Sequence, residues 1–337
     1  MTMKHLILLA SAVALALGIA APAVPAHAAD VILKLGDDVA PASVQAQAIE
    51  RFAEEVAKRD VGIEIQFFHG SQLGTGAQQI QNVKLGIQDM VNTGYELLDV
   101  FSEKIKIAST PFTFADYEHF ENWLKADDFE EVQQEIIEKG NQRIINLGVV
   151  WKRGPFRVMI ASEPILTLED LSKVKFRVHE SEVVKRFWGK EGLGATVVVL
   201  PLSDVYLSLR QGVVDAITMP FDLIVPMKFT EVAKHVMLLR DYPQFLPIMI
   251  NEAKWQSLTP EQQQALTEAA DEAGRFYNAE IEKNVEQWRA ELEASGVVFH
   301  EVDRGPWVER IRERNQQWEQ DGYWSTGLVD TIESYRQ

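Results

Sequence analysis

The chain has 337 residues, with 50 acidic against 33 basic side chains, a formal charge of −17 and no cysteine. The acidity disfavours nucleic acid or an anionic membrane surface as partner, and the missing thiols exclude disulfides, zinc-thiolate sites and cysteine nucleophiles. A chain of this length buries a large core, most naturally in two lobes.

Lys4 supplies a positive start, Leu6 to Ala21 is almost wholly apolar, and Ala26-His27-Ala28 is the small-x-small pattern that signal peptidase reads. A cleavable leader over 1–28, cut between Ala28 and Ala29, is expected, and with it export. Pro22 and Pro25 interrupt the apolar run short of the about 20 residues a retained anchor needs. No later segment is long and apolar enough to span a bilayer, so no membrane insertion is expected once the leader is gone.

Val31 to Leu35 reads as a strand, and Ser43 opens a helix whose apolar positions Val44, Ala48, Phe52 and Val56 share one face. Ile63, Ile65 and Phe67 alternate with Glu64 and Gln66, a second strand. Gln78 to Leu85 predicts a helix stopped by Gly86, and Asp89 to Asn92 a short strand, so the first lobe is an α/β layer with a mainly parallel sheet. Ile144 to Trp151 reads as a buried strand, and Gly154-Pro155 is the expected crossing to a second lobe.

The second lobe repeats the alternation, with strands expected at Phe156 to Ile160, Lys175 to Val178, Thr196 to Val199 and Ala216 to Met219. Helices over Glu182 to Lys190 and Ser203 to Gly212 separate them. Phe245 to Asn251 predicts a strand returning to the first lobe. Thr259-Pro260-Glu261-Gln262 joins an N-cap, a first-turn proline and a capping-box glutamine, and the helix it opens runs to about Glu293. At 1.5 Å per residue that helix is on the order of 50 Å long and braces both lobes, with Gly274 permitting a bend. The expected division is 29–154 with a return segment of about 245–280 for lobe I, and 155–244 with about 281–337 for lobe II. Trp318, Tyr323 and Trp324 are expected to pack on the parent lobe.

Several short motifs recur in a fixed order. They are Gly70-Ser71-Gln72-Leu73-Gly74, Leu85-Gly86-Ile87-Gln88-Asp89-Met90, Pro111-Phe112-Thr113-Phe114 with Asp116 to His119, and Leu168-Glu169-Asp170-Leu171. Lys173 to Glu180 with Arg177 follows, then Ser203-Asp204-Val205-Tyr206, and Gly212 to Asp215 before Met219-Pro220. Singly each is weak; in this order over about 220 residues they resemble the solute-binding proteins of TRAP (tripartite ATP-independent periplasmic) transporters, the DctP-like family. The resemblance implies a two-lobe periplasmic receptor that closes on a small solute and delivers it to membrane permease subunits; no catalytic grouping, cofactor motif or metal-ligand motif is seen in the sequence, which leaves open whether a metal bridges the solute carboxylate. It also implies that Arg177 clamps a ligand carboxylate, a task suited to a planar fork of donors, and that Arg157 is a second arginine at the lobe crossing.

Three departures from the family pattern bear on the solute. Asp38 and Glu180 stand where the family often has neutral residues, and Met219 stands where it has an asparagine. If Asp38, Glu180 and Asp222 face the solute with Arg157 and Arg177, the site sums to about −1, and a dicarboxylate is repelled. A zwitterion or amino alcohol is then preferred, with Tyr95, Trp151 and Phe221 available to pack on a cation, and a simple monocarboxylate or hydroxy acid is the alternative. The bland reading of the acids is solvation at the rim or pairing with the arginines. A glycosidase-like hydrolase using Glu180 with Asp222 is the rival of another class. The seven histidines are scattered, and His179 reads as a hydrogen-bonded cleft or core residue.

Overall fold

The computed structural model describes residues 31–155 and 157–336; the expected leader, its cleavage site and Phe156 lie outside them. The described strands are β1 (Val31–Gly36), β2 (Ile63–Phe68), β3 (Met90–Asn92), β4 (Gln142–Ile144), β5 (Val158–Ala161), β6 (Lys175–Val178), β7 (Thr196–Val199), β8 (Ala216–Met219), β9 (His235–Met237), β10 (Ile248–Asn251) and β11 (Val298–His300). They form two sheets, ordered β2-β1-β3-β10-β4 and β11-β9-β5-β8-β6-β7.

The two sheets share one plan. In the first, β2, β1 and β3 run parallel, and β10 lies antiparallel between β3 and β4. In the second, β7, β6 and β8 run parallel, and β5 lies antiparallel between β8 and β9. The reversed strand in each sheet has a common cause: β5 arrives from the first lobe and β10 from the second, so each enters at the end where the parallel strands finish. The crossing segments pair with each other, Arg153 N donating to Gln244 O at 2.9 Å and Leu246 N to Trp151 O at 3.0 Å.

Local signals explain most boundaries. Ser43 caps the Val44–Lys58 helix through Ala46 N, and the Gly76–Leu85 helix, capped by Thr75, ends on Gly86 at φ 70°. The strand expected through Trp151 stops at Ile144 because Asn146 intervenes. Its side chain takes over the ladder, Nδ2 donating to Leu246 O at 2.9 Å and Oδ1 accepting from Ile248 N at 2.8 Å. The helix expected to Lys190 ends at Trp188, where Gly189 turns the chain out of the helix.

One helix, Pro260–Ala294, is 35 residues long and carries the expected Thr259–Gln262 capping box. Its Leu266, Ala269, Ala270 and Ala273 pack with Ile49 and Phe52 of the Val44–Lys58 helix, and Leu292 packs with the second-lobe apolar cluster. It runs unbroken through Gly274. That glycine serves close approach rather than bending, since a Cβ there would lie 2.5 Å from Trp151 Nε1 and 2.6 Å from its Cδ1. Gly274→Ala therefore gains up to about 1 kcal/mol of helix propensity but overpacks a fully buried tryptophan at about 1–3 kcal/mol. A net fall in melting temperature is the expected result by calorimetry.

Trp318 and Trp324 are buried and meet edge to face at 5.7 Å. The grouping of 281–337 with the second lobe needs correction. β11 does join the second sheet beside β9. The Leu328–Glu333 helix instead docks on first-lobe helices, with His119 Nε2 donating to Ile332 O at 2.8 Å and Tyr335 Oη to Asp128 at 2.8 Å. Among the described residues no helix is long and apolar enough to cross a membrane.

Candidate ligand-binding site

The chain segments just past the ends of the parallel strands face one another across the lobes, where open α/β sheets place their ligands. β1 leads into Asp37-Asp38, β3 into Thr93-Gly94, β6 into His179-Glu180 and β8 into Pro220. These segments, with Arg153, Arg157, Arg177 and Gln244, line a narrow cavity of about 50 Å³. Ser181 Oγ donates to the Asp99 carboxylate across the rim, joining the lobes beside it.

The first-lobe wall rests on Asp37, which is fully buried. Its carboxylate accepts from Gly70 N at 3.0 Å and Val39 N at 3.2 Å and meets His69 Nδ1 at 2.5 Å. Gly70 sits at φ 64°, so the Gly70–Gly74 motif shapes the loop that presents Asp38. Asp38 also needs Gly76, where a Cβ would come within 2.7 Å of its Oδ2. Burial, with Asp37 and Glu96 adding to it against the pull of Arg153, pushes the Asp38 carboxyl up to about 6.

Three arginines line the cavity, and they differ in what they already hold. Arg153 has Asp222 Oδ2 3.5 Å from its Nε and donates from Nη2 to Gln45 at 2.8 Å. Arg157 donates to Gln244 Oε1 at 3.0 Å and Thr218 O at 2.9 Å, lies over the Tyr242 ring at 4.8 Å and has Asp241 at 3.9 Å. Arg177, on β6, donates from Nε to Leu200 O at 2.8 Å and makes no ion pair among the described residues. Its terminal fork makes no hydrogen bond among the described residues. Burial, and then the Arg157 charge, lower Arg177 to about 10, still cationic at neutral pH. The same burial, with Arg177 and Arg157 close by, keeps His179 well below the usual imidazole range, hence neutral, with Nε2 unpartnered.

Of the residues expected from the sequence, Arg177, Arg157, Asp38, Glu180 and Met219 line this cavity. Tyr95, Trp151, Phe221 and Asp222 do not. Tyr95 is core: its hydroxyl donates to Ala108 O at 2.7 Å and its ring stacks on Phe245 at 5.3 Å. Trp151 donates to Ala270 O at 3.0 Å and stacks on Tyr277. Phe221 packs in the second-lobe core near Phe299, and Asp222 accepts from Tyr277 Oη at 3.0 Å beside Arg153. The aromatic surround for a cation is therefore corrected, and the charge count changes with it: Arg153, Arg157 and Arg177 face Asp38, Glu96 and Glu180, with Asp222 already paired.

Residues 35–321 match the family described as bacterial extracellular solute-binding protein, family 7. This chain belongs to that family. It is similar to a solute-binding protein of Roseobacter denitrificans, 29% identical over 279 residues covering 82% of this chain and 84% of the relative. It is also similar to the 2,3-diketo-L-gulonate-binding periplasmic protein of Escherichia coli, 27% identical over 81% of this chain and 82% of that protein. The crystal structure of a TRAP periplasmic solute-binding protein from Roseobacter denitrificans with bound L-galactonate superposes with a TM-score of 0.81 at 26% identity, covering 91% of this chain and 99% of that one. The family 7 chain is thus a TRAP-type solute receptor with the two-lobe fold.

Sequence reasoning missed Arg153, Glu96 and Gln244 as lining residues. Glu96 lies four residues past the end of β3, a place the strand-end rule would have flagged. Arg153 and Gln244 sit on the two paired crossings, and no local pattern marks them.

The raised Asp38 carboxyl is expected to make the binding of a solute that contacts it depend on pH. A solute that donates a hydrogen bond to Asp38 prefers the ionised form, so its binding expels the proton that Asp38 carries below about pH 6. Affinity for such a solute is expected to rise by up to about tenfold from pH 5 to pH 7 and then level off. Asp99, pushed up by burial to about 6, titrates in the same window at the rim. Titration calorimetry on Asp38→Asn separates them, because that variant loses the dependence only if Asp38 is its source.

Proposed function

We propose that this chain is an exported, periplasmic TRAP receptor that captures a small hydroxylated monocarboxylate and passes it unaltered to the membrane permease. The observation that carries the reading is Arg177: buried, cationic, held in place by Leu200 O and without a carboxylate of its own. In a closed, water-poor cleft each charge-assisted hydrogen bond from its fork is worth about 1.5–3 kcal/mol. One such arginine accounts for one carboxylate, while Arg153 and Arg157 already have acids at hand. The L-galactonate bound to the Roseobacter denitrificans protein is a solute of this kind. The lobes divide at the paired crossings near Gly154 and Phe245, which act as the hinge.

The three acids lining the same cavity favour a second reading, a solute with an ammonium in place of a hydroxyl. A hydrolase using Glu180 with Asp222 finds no support, because Asp222 is turned to Arg153 and Tyr277.

A thermal-shift screen of hydroxy acids, amino acids, amino alcohols and dicarboxylates tests the proposal. A cognate solute at 100 times its dissociation constant stabilises the fold by about 2.7 kcal/mol and is recovered intact. Preference for dicarboxylates, or turnover of the bound compound by pure protein, would overturn it.

A further inference from the structure

Glu96 is 6% exposed, yet it forms no ion pair among the described residues. One carboxylate oxygen accepts from Gln244 Nε2, and Gln244 Oε1 in turn accepts from Arg157 Nη1. The other oxygen is buried without a hydrogen-bond partner among the described residues, in the lining of the Arg177 cavity. A buried, half-satisfied carboxylate costs stability unless something completes it, and the chain makes room for it deliberately. Residue 94 is glycine, and a Cβ there would collide with both Glu96 carboxylate oxygens and with Gln244 Nε2. The absent side chain is the cradle in which the carboxylate sits.

One cavity therefore contains a buried guanidinium with no carboxylate in ion-pair range and a buried carboxylate with one oxygen that lacks a donor among the described residues. We infer that Glu96, seated over Gly94 and fixed by Gln244, is the specificity-determining residue of the cleft, accepting a hydrogen bond from an O–H or N–H group that the solute carries in addition to its carboxylate. Gln244 links the two poles: it orients Glu96 with its amide N–H and Arg157 with its carbonyl. A solute without the donor leaves the Glu96 oxygen unpaired, and sites built this way reject such analogues by large factors. The inference rests on the proposed carboxylate recognition by Arg177 and adds the second requirement.

Titration calorimetry with three pairs of probes tests it: glycerate and galactonate as hydroxyl donors, alanine and β-alanine as ammonium donors, propionate and hexanoate with no donor. Wild type is expected to bind at least one donor-bearing acid 100-fold or more tightly than both plain acids. Glu96→Gln keeps the shape and removes the charge, so it should weaken a hydroxy acid about tenfold and an amino acid about 100-fold, leaving the plain acids unchanged. The ratio of those losses tells which donor is the natural one. Gly94→Ala, which displaces the carboxylate, should lower the same preference. The inference is overturned if plain acids match their donor-bearing partners in wild type, or if Glu96→Gln weakens all probes alike or none. Binding that depends on Glu96 but survives Arg177→Ala retires the carboxylate reading alone, and binding of no probe retires both.

Discussion

Arg177→Ala is expected to weaken binding of the cognate monocarboxylate by about 2–5 kcal/mol, the range for removing one partner of a buried, hydrogen-bonded charge pair. Arg177 is 4% exposed, its Nε is committed to Leu200 O, and neither Glu180 nor Asp38 is within ion-pair distance. The fork thus has no ion-pair partner among the described residues, and the loss is expected to fall on the solute. Arg177→Lys should recover little, because a lysine is a point donor on a flexible stem and cannot span two carboxylate oxygens. The unliganded protein should lose little stability, since the variant removes a buried charge that the fold leaves uncompensated. Calorimetric titration with a melting curve for each variant checks both halves. Unchanged affinity in folded Arg177→Ala removes Arg177 from the site.

The residues that announced themselves in the sequence were those whose local pattern and physical task coincide. Thr259 to Gln262 specifies a helix start without tertiary help, and Arg177 sits inside a strand motif whose spacing to Gly212 and Met219 is unusual enough to carry meaning. The misassigned residues share the opposite property. Tyr95, Trp151 and Phe221 are large aromatics near the crossing, and composition alone gives them to a cleft as readily as to a core. Their placement is decided by distant partners: Ala108 O for the Tyr95 hydroxyl, Ala270 O for the Trp151 indole and Phe299 for the Phe221 ring. Arg153 and Gln244 were illegible for the same reason. They become neighbours only because the chain crosses between lobes twice and the crossings, some ninety residues apart, pair edge to edge. Gly94 is legible only in three dimensions, since its meaning lies in the Glu96 carboxylate that fills its missing side chain.

Asp222 was grouped with the ligand contacts on sequence, and its observed surroundings predict a different phenotype. Arg153 is 4% exposed and Asp222 2% exposed; the pair is 3.5 Å apart, with Tyr277 Oη donating to the same carboxylate oxygen at 3.0 Å. Burial alone would lower the Arg153 guanidinium, and Asp222, with Tyr277, Glu96 and Asp38 adding to it, more than offsets that, holding the group above its ordinary range. Asp222→Ala leaves that buried cation with Gln45 alone and strips the Tyr277 hydroxyl of its acceptor. Breaking a buried pair from one side costs about 3–5 kcal/mol, which in a chain of this size lowers the melting temperature by on the order of 10 °C. Asp222→Asn keeps an oxygen for Tyr277 and should cost roughly half as much, the difference reporting the charge on Arg153. A residue that contacted the solute would behave in the reverse way, leaving the unliganded melting temperature intact while abolishing the ligand-induced shift. Because Tyr277 belongs to the long helix and Arg153 to the crossing, the Asp222 carboxylate fastens the second lobe to both, which is why its loss is expected in the stability of the empty receptor.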